Sequence, residues 1–326
     1  DNGITNFHFE LAADILQEEE IKLLHGMRPG LIQLEIGVQS VNPETLKEIC
    51  RVMDLDKLER NVKALKQGNN IHIHLDLIAG LPFEDYDSFA VSFNRVYAMG
   101  PEQLQLGFLK VLKGSYMHDK VKEYGISYLS TAPYEVLYTK WLPYEKVMAL
   151  KKVEAMVELY YNSNQFICTL SILVEAFATP FAMYEALAEF YTRNGYFVSS
   201  PARSYRYEIL FQFALAQEPE KKELYTELLT YDLYLRENMK NRPQFLKDIK
   251  IYKEELKGYH KDKGNRNLIH VEPFAYPVWI SQEGGAKEIM GSDEDFSRQE
   301  ARWFAVFDYE RRSPLTYEAE VTVHNR

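Results

Sequence analysis

The segment NNIHIHLDLIAGLP, residues 69–82, decides the fold. Ile71, Ile73, Leu75 and Leu77 alternate with His72, His74 and Asp76. A strand turns successive side chains to opposite faces. This spacing therefore predicts one apolar surface and one surface carrying two imidazoles and a carboxylate. Gly80-Leu81-Pro82 supplies the break that ends the strand. Three ionisable groups along one side of a strand need a reason, and the neighbouring segments offer one.

The habit recurs. In NFHFELAADI (6–15), Phe7 and Phe9 oppose His8 and Glu10. In LIQLEIGVQS (31–40), Leu34, Ile36 and Val38 oppose Gln33, Glu35, Gly37 and Gln39. In PEQLQLGFLKVLKGS (101–115), Leu104, Leu106 and Phe108 oppose Gln103, Gln105 and Gly107. Helical patterns lie between these segments: TLKEICRVMDLDKLERNVKALKQG (45–68), ending on a C-cap glycine, and DYDSFAVSFNRVYAMGP (85–101). A repeat of roughly 30 to 35 residues is the spacing of βα units and a parallel sheet.

Parallel strands covered on both sides are apolar on both sides. Here one side is polar in all four. The pattern predicts an α/β partial TIM-type barrel, with apolar side chains under helices and polar ones lining a ligand-filled interior. The structural alternative is a layer of buried polar residues hydrogen-bonded to one another. Four units do not close a barrel, so either the sheet is open or earlier strands lie outside this chain. The start at DNGITNFHFE, without Met, favours the second.

Composition bounds the function. The chain has 326 residues, enough for two or three domains, with 46% hydrophobic and 26% charged residues as in soluble globular proteins. No apolar run approaches the roughly 18 residues that span a bilayer. A net charge of −10 argues against a nucleic-acid partner, since phosphate binding rests on clustered Lys and Arg. The basic KDKGNR (261–266) reads as a solvated loop. Cys50 and Cys168 lie far apart and outside any CxxC motif, so neither a disulfide framework nor a four-cysteine cluster is expected from this chain. Two unpaired thiols indicate a reducing, cytoplasmic setting.

Three segments are expected: a barrel portion over 1–125, a helical domain over 126–245 and a small α+β segment over 246–326. Helical spacing runs through residues 143–166, 179–197, 204–216 and 221–239. Tyr160, Tyr161, Tyr191, Tyr205, Tyr231 and Tyr234 read as core tyrosines with polar tips, or else as an aromatic substrate surface. Beyond a basic helix and loop (245–266), NLIHVEPFAYPVWIS, ARWFAVFDYE and LTYEAEVTVHN alternate like a small antiparallel sheet. This tail could cap the barrel mouth or close an exposed edge.

FHFE (7–10), LEIGVQSVNPETLKEICR (34–51), HLDLIAGLPFEDYDSF (74–89) and QLQLGFLKVLKGS (103–115) carry a resemblance to the second half of the barrel of radical S-adenosylmethionine enzymes. The nearest types are those bearing a cobalamin domain and the oxygen-independent coproporphyrinogen oxidases. APYEVL, TKWL, YYNSNQF and LLTYDLYLREN resemble the uncharacterised region that follows such barrels. The resemblance implies S-adenosylmethionine and a [4Fe–4S] cluster, with cobalamin through a further domain. It places Glu10 at the methionyl amino end, and Gln39 and Arg51 toward the ribose hydroxyls and the carboxylate. Amide and guanidinium chemistry suit that pair. By the same resemblance Asp76 faces substrate or a second cofactor molecule and is the candidate catalytic residue. Ile78, Ala79, Gly80 and Leu81 lie against adenine, beside Leu109, Lys110 and Val111. The family's CxxxCxxC is absent from this chain. The expectation is therefore the C-terminal portion of a radical enzyme, inactive by itself, acting on a small molecule and not on nucleic acid or membrane.

Two rivals stay open. HxH with a nearby carboxylate is also the pattern of a metal-dependent barrel hydrolase or lyase, using His72, His74 and Asp76. Such ligands belong at the C-terminal mouth. Several strand residues follow both histidines before Gly80, which predicts packed, hydrogen-bonded rings low in the barrel and no metal. The third reading is a non-catalytic interaction module.

Overall fold

Alternating side chains do form strands here. In a computed structural model describing residues 2–239, 241–261, 268–290, 296–298 and 300–326, the chain divides into two compact units, 1–162 and 163–326. The helical stretch expected over 126–245 is shared between them. Most of KDKGNR, residues 262–266, lies outside the described residues. Among the described residues no single helix is long and apolar enough to cross a membrane.

Unit 1 holds β1 (Phe7–Glu10), α1 (Glu18–His25), β2 (Ile32–Gln39), α2 (Pro43–Glu48), α3 (Leu55–Gln67), β3 (His72–Ala79), α4 (Tyr86–Tyr97) and β4 (Gln103–Phe108). The four strands pair in parallel in the order β1-β2-β3-β4. Leu34, Ile36, Val38, Ile73, Leu75, Leu77 and Leu104 are all but inaccessible. They meet the buried stripes of the helices, Leu58, Val62 and Leu65 of α3 and Phe89, Phe93 and Val96 of α4, with α4 packed on β3. Most of the polar row stays partly exposed. Removing the apolar row from water stabilises the sheet by about 1.5–3 kcal/mol per large side chain, which fixes the register, since a one-residue slip would turn it outward.

The helical pattern over 45–68 is not one helix. α2 ends at Glu48, Cys50 takes a left-handed φ of 55°, and Asp54 caps α3 by accepting from Lys57 N at 2.9 Å. The apolar spacing runs through the break, but Asp54 is the residue type that begins a helix. Arg51 therefore stands in the connection between two helices, not within one. After β4 come α5 (Tyr116–Asp119), the short pair β5 (Ser127–Tyr128) and β6 (Val136–Tyr138), and α6 (Tyr144–Met156), which passes into a π turn at Val157–Tyr161. The β5–β6 pair was not apparent from sequence.

Unit 2 begins with α7 (Ile167–Leu173), α8 (Pro180–Arg193), α9 (Tyr196–Ser199), α10 (Arg203–Gln217) and α11 (Lys222–Arg236). It continues with α12 (Lys253–Lys261), β7 (Ile269–Phe274), α13 (Ser281–Met290), β8 (Trp303–Arg312) and β9 (Ala319–Asn325), the strands forming an antiparallel sheet in the order β7-β8-β9. Every residue of α11 from Leu224 to Leu235 is buried, the mark of a helix enclosed all round. Its two buried acids are satisfied. Glu227 accepts from Ala275 N, Tyr276 N and Lys247 Nζ, and Asp232 accepts from Cys168 N and Thr169 N at the start of α7. Tyr160 in unit 1 and Tyr191, Tyr231 and Tyr234 in unit 2 are core residues, while Tyr205 is exposed.

Candidate functional site

Strand register stacks the polar row into layers. His8 stands beside Gln33 and Gln33 beside His72; Glu10 beside Glu35 and Glu35 beside His74; Gly37 beside Asp76. The lower half is closed on itself. The Gln33 amide Nε2 lies 2.8 Å from His74 Nε2, His8 Nε2 lies 2.9 Å from Glu35 Oε2, and the His72 and His74 rings meet edge-on at 4.8 Å. Burial, then the charges of His72 and His8, push the His74 pKa down to about 4; burial lowers His72 as well. An imidazole nitrogen that accepts from an amide is not free for a metal. Among the described residues no three His, Cys, Asp or Glu side chains are placed to hold one.

A prediction follows from the sign of that shift. The fold disfavours the imidazolium, so the His74 contribution to stability is full above the ordinary 6.5 and is lost as pH falls from 6.5 toward about 4. NMR of the ring should show no titration of His74 until pH approaches 4. An imidazole titrating near 6.5 would contradict this packing.

The upper half is open. Glu10, Glu35, Gly37, Gln39, Arg51 and Asp76 line one cavity of ≈ 340 Å³, with Leu11 and Ala12 at its edge. A second, of ≈ 480 Å³, shares Ala12, Gln39 and Arg51 and extends past Asp14, Cys50 and Val52. The local backbone makes this convergence. β2 shifts register between Gly37 and Gln39, and Gln39 takes φ 68°. Its side chain folds back over Gly37, where an added Cβ would collide with the Gln39 amide nitrogen. Arg51 comes from the α2–α3 connection and donates through Nη2 to the Gly37 carbonyl. A side chain at position 37 would have to push the Gln39 amide aside.

Three polar atoms here are buried without a protein partner: Gln39 Oε1, Arg51 Nε and Asp76 Oδ1. Buried polar groups are nearly always paired, so orphaned atoms on three residues that line the cavity make it a candidate ligand site. Burial first, then the charge of Glu35, a hydrogen bond shared with that carboxyl and the charge of Glu10, raise the Asp76 pKa to about 7. Three carboxylates against one guanidinium make the cavity net acidic, fit for a cationic ligand that also carries one anionic end.

Of the residues expected at a site, Glu10, Gln39, Arg51 and Asp76 come together. The others lie elsewhere. Ile78 packs beside an apolar cluster that includes Leu81, Leu109, Val111 and Val136. Leu109 N donates to the Ala79 carbonyl, and Val136 N donates to the Leu109 carbonyl. Gly80, at φ 88°, faces the Val136 side chain, and Lys110 bridges to Glu135 in antiparallel fashion. Glu35 and Asp14 were missed as site residues. The alternation of β2 did put Glu35 on the polar face, one step below Gly37.

Fold and site together define an α/β parallel sheet with an acidic, arginine-bearing cavity along its polar face. Residues 122–282 match a family described as a protein of unknown function, DUF4080. The oxygen-independent coproporphyrinogen III oxidase of Salmonella typhimurium is 30% identical over 107 residues, 31% of this chain and 23% of that protein. The enzyme of the same name from Paracoccus denitrificans is 26% identical over 98 residues, 30% of this chain and 22% of the relative. The chain thus spans less than a quarter of the curated relatives it matches. The solved coproporphyrinogen III oxidase of Escherichia coli, described as a radical SAM enzyme, aligns with a TM-score of 0.37 at 19% identity, covering 48% of this chain and 33% of its own.

Proposed function

We propose that unit 1 holds S-adenosylmethionine in a radical S-adenosylmethionine oxidoreductase. The observation that carries this reading is the convergence of Glu10, Gln39, Arg51 and Asp76 on one cavity with three orphaned polar atoms. The sequence similarity to coproporphyrinogen oxidases adds to it. The donor set suits the cofactor: a guanidinium for its carboxylate, carboxylates for its ammonium and sulfonium, an amide for its ribose diol. S-adenosylmethionine beside a [4Fe–4S] cluster is the source of hydrogen-abstraction chemistry in such enzymes.

The chain's own residues bind and orient. Arg51 and Gln39 fix the two ends of the cofactor, and the half-buried acids screen its positive charge from water. Asp76, with a pKa near 7, can hold or release a proton at the cavity wall. The cluster does not fit this chain. Cys50 and Cys168 are single thiols in different units, and its ligands belong outside these residues. Cobalamin is assigned no residue here. A small-molecule substrate and a cytoplasmic setting, with no nucleic-acid or membrane partner, belong to the same reading.

Binding of S-adenosylmethionine to the full chain tests this by calorimetry in buffers of different ionisation heat. A bound cation favours ionised Asp76, so binding should release a proton below about pH 7, and affinity should rise with pH through that value. A folded chain with a Kd above ~1 mM at every pH would sink the reading.

A further inference from the structure

We propose that Glu84 is the positioning residue for the Gln39 amide; this rests on the cofactor reading above. Gln39 holds a left-handed backbone, φ 68°, which costs a non-glycine residue about 1–3 kcal/mol unless its surroundings impose it. Ser40 N closes a three-residue turn over Gln39 by donating to the Val38 carbonyl at 2.9 Å, and the next two peptide units hold that turn in place. The Ser40 hydroxyl donates to Glu84 Oε1 at 2.7 Å and accepts from Asn42 N at 3.0 Å. The Ser92 hydroxyl donates to the same Glu84 oxygen at 2.8 Å and accepts from Val41 N at 3.1 Å. One carboxyl oxygen thus gathers two hydroxyls, and those hydroxyls hold the two consecutive amides that follow Ser40.

The arrangement is fully enclosed. Ser40 and Ser92 are inaccessible and Glu84 is 1% exposed. Two outer ties run between the same loops: Asn42 Nδ2 donates to the Phe83 carbonyl at 2.9 Å, and Thr45 Oγ1 to the Pro82 carbonyl at 2.8 Å. The loop leaving β3 therefore fixes the loop leaving β2 at the point where Gln39 turns back over Gly37. Burial holds the Glu84 carboxyl up at about 7, in keeping with a group that works by accepting hydrogen bonds and not by its charge. Glu84 does not line the cavity. It touches Gln39 only through Ser40.

The test uses the full chain, with S-adenosylmethionine as probe and amide hydrogen exchange as a second readout. Glu84→Gln keeps a carbonyl oxygen for both hydroxyls and should stay within about threefold of wild type in affinity. Glu84→Ala should weaken binding about tenfold or more and speed exchange at Val41 and Asn42. Val62→Ala, a buried truncation on α3, should lower the melting temperature and leave affinity unchanged. If Glu84→Ala does not fold, Ser92→Ala removes one of the two hydroxyls and should give a smaller loss in the same direction. A folded Glu84→Ala chain with wild-type affinity and wild-type exchange at Val41 and Asn42 overturns the proposal. So does a Glu84→Gln chain as impaired as the alanine variant. If wild type binds no S-adenosylmethionine, the cofactor reading fails, while the exchange rates still decide whether Glu84 sets this loop.

Discussion

Replacing Asp232 by alanine should destabilise the C-terminal unit by about 3–5 kcal/mol, a large part of the 5–15 kcal/mol that holds a domain together. α7 starts at Ile167 behind Phe166, which offers no side-chain cap, so its first amides must find acceptors elsewhere. Asp232, near the end of α11, supplies them. Its carboxylate accepts from Cys168 N at 3.0 Å, from Thr169 N at 2.9 Å and from the Thr169 hydroxyl at 2.7 Å. All of these groups are out of reach of water, with Asp232 1% exposed and Thr169 inaccessible. Alanine leaves three buried donors unsatisfied, each costing about 1–3 kcal/mol, offset in part because the carboxylate no longer has to be desolvated. Thr169→Val removes a single bond and should cost about 1 kcal/mol. Urea melts of the intact chain, with exchange at the Cys168 and Thr169 amides, measure both. An Asp232→Ala chain as stable as wild type would mean that water reaches the start of α7.

The contrast between the two units shows where sequence is informative. Alternation along β3 is a local property, so His72, His74 and Asp76 could be placed on one face and Leu75 and Leu77 in the core from spacing alone. The three strands of the C-terminal sheet were readable for the same reason. The break at Cys50 was not, because the apolar period of Leu46, Ile49 and Val52 continues across it although Val52 is 99% exposed. Spacing reports which residues could share a face, not whether the backbone stays helical long enough for them to do so. The pairing of Leu109 and Val111 with Tyr134 and Val136 is equally silent, since it joins segments distant in the chain. Glu84 is the extreme case. Its importance comes from two loops meeting in space, and nothing in FEDY distinguishes it from a solvated acid.

Arg51→Ala should weaken S-adenosylmethionine binding about ten- to a hundredfold with little change in stability, while His72→Ala should lower stability and leave affinity near wild type. Geometry separates the two. Arg51 sits in the α2–α3 connection at the cavity, with Nη2 spent on the Gly37 carbonyl and Nε buried and unpaired. That tie orients the guanidinium at the cost of one donor and leaves others for a ligand carboxylate. Losing a hydrogen bond to a charged partner costs about 1.5–3 kcal/mol, which is the fold-change stated. Lysine would restore charge without the fork, so Arg51→Lys should recover only part of the affinity. Gln39→Ala should fall in the same class, because its Oε1 is the second orphan at the cavity. His72 lies two layers below Asp76, beyond that of His74, against whose ring it packs edge-on, and outside both cavities. Calorimetric titration of the three variants, each first checked by circular dichroism and melting, decides between them. Wild-type affinity in Arg51→Ala and Gln39→Ala, with loss in a well-folded His72→Ala, would move the ligand to the histidine face. In that case the orphaned atoms of Gln39, Arg51 and Asp76 would be satisfied by ordered water.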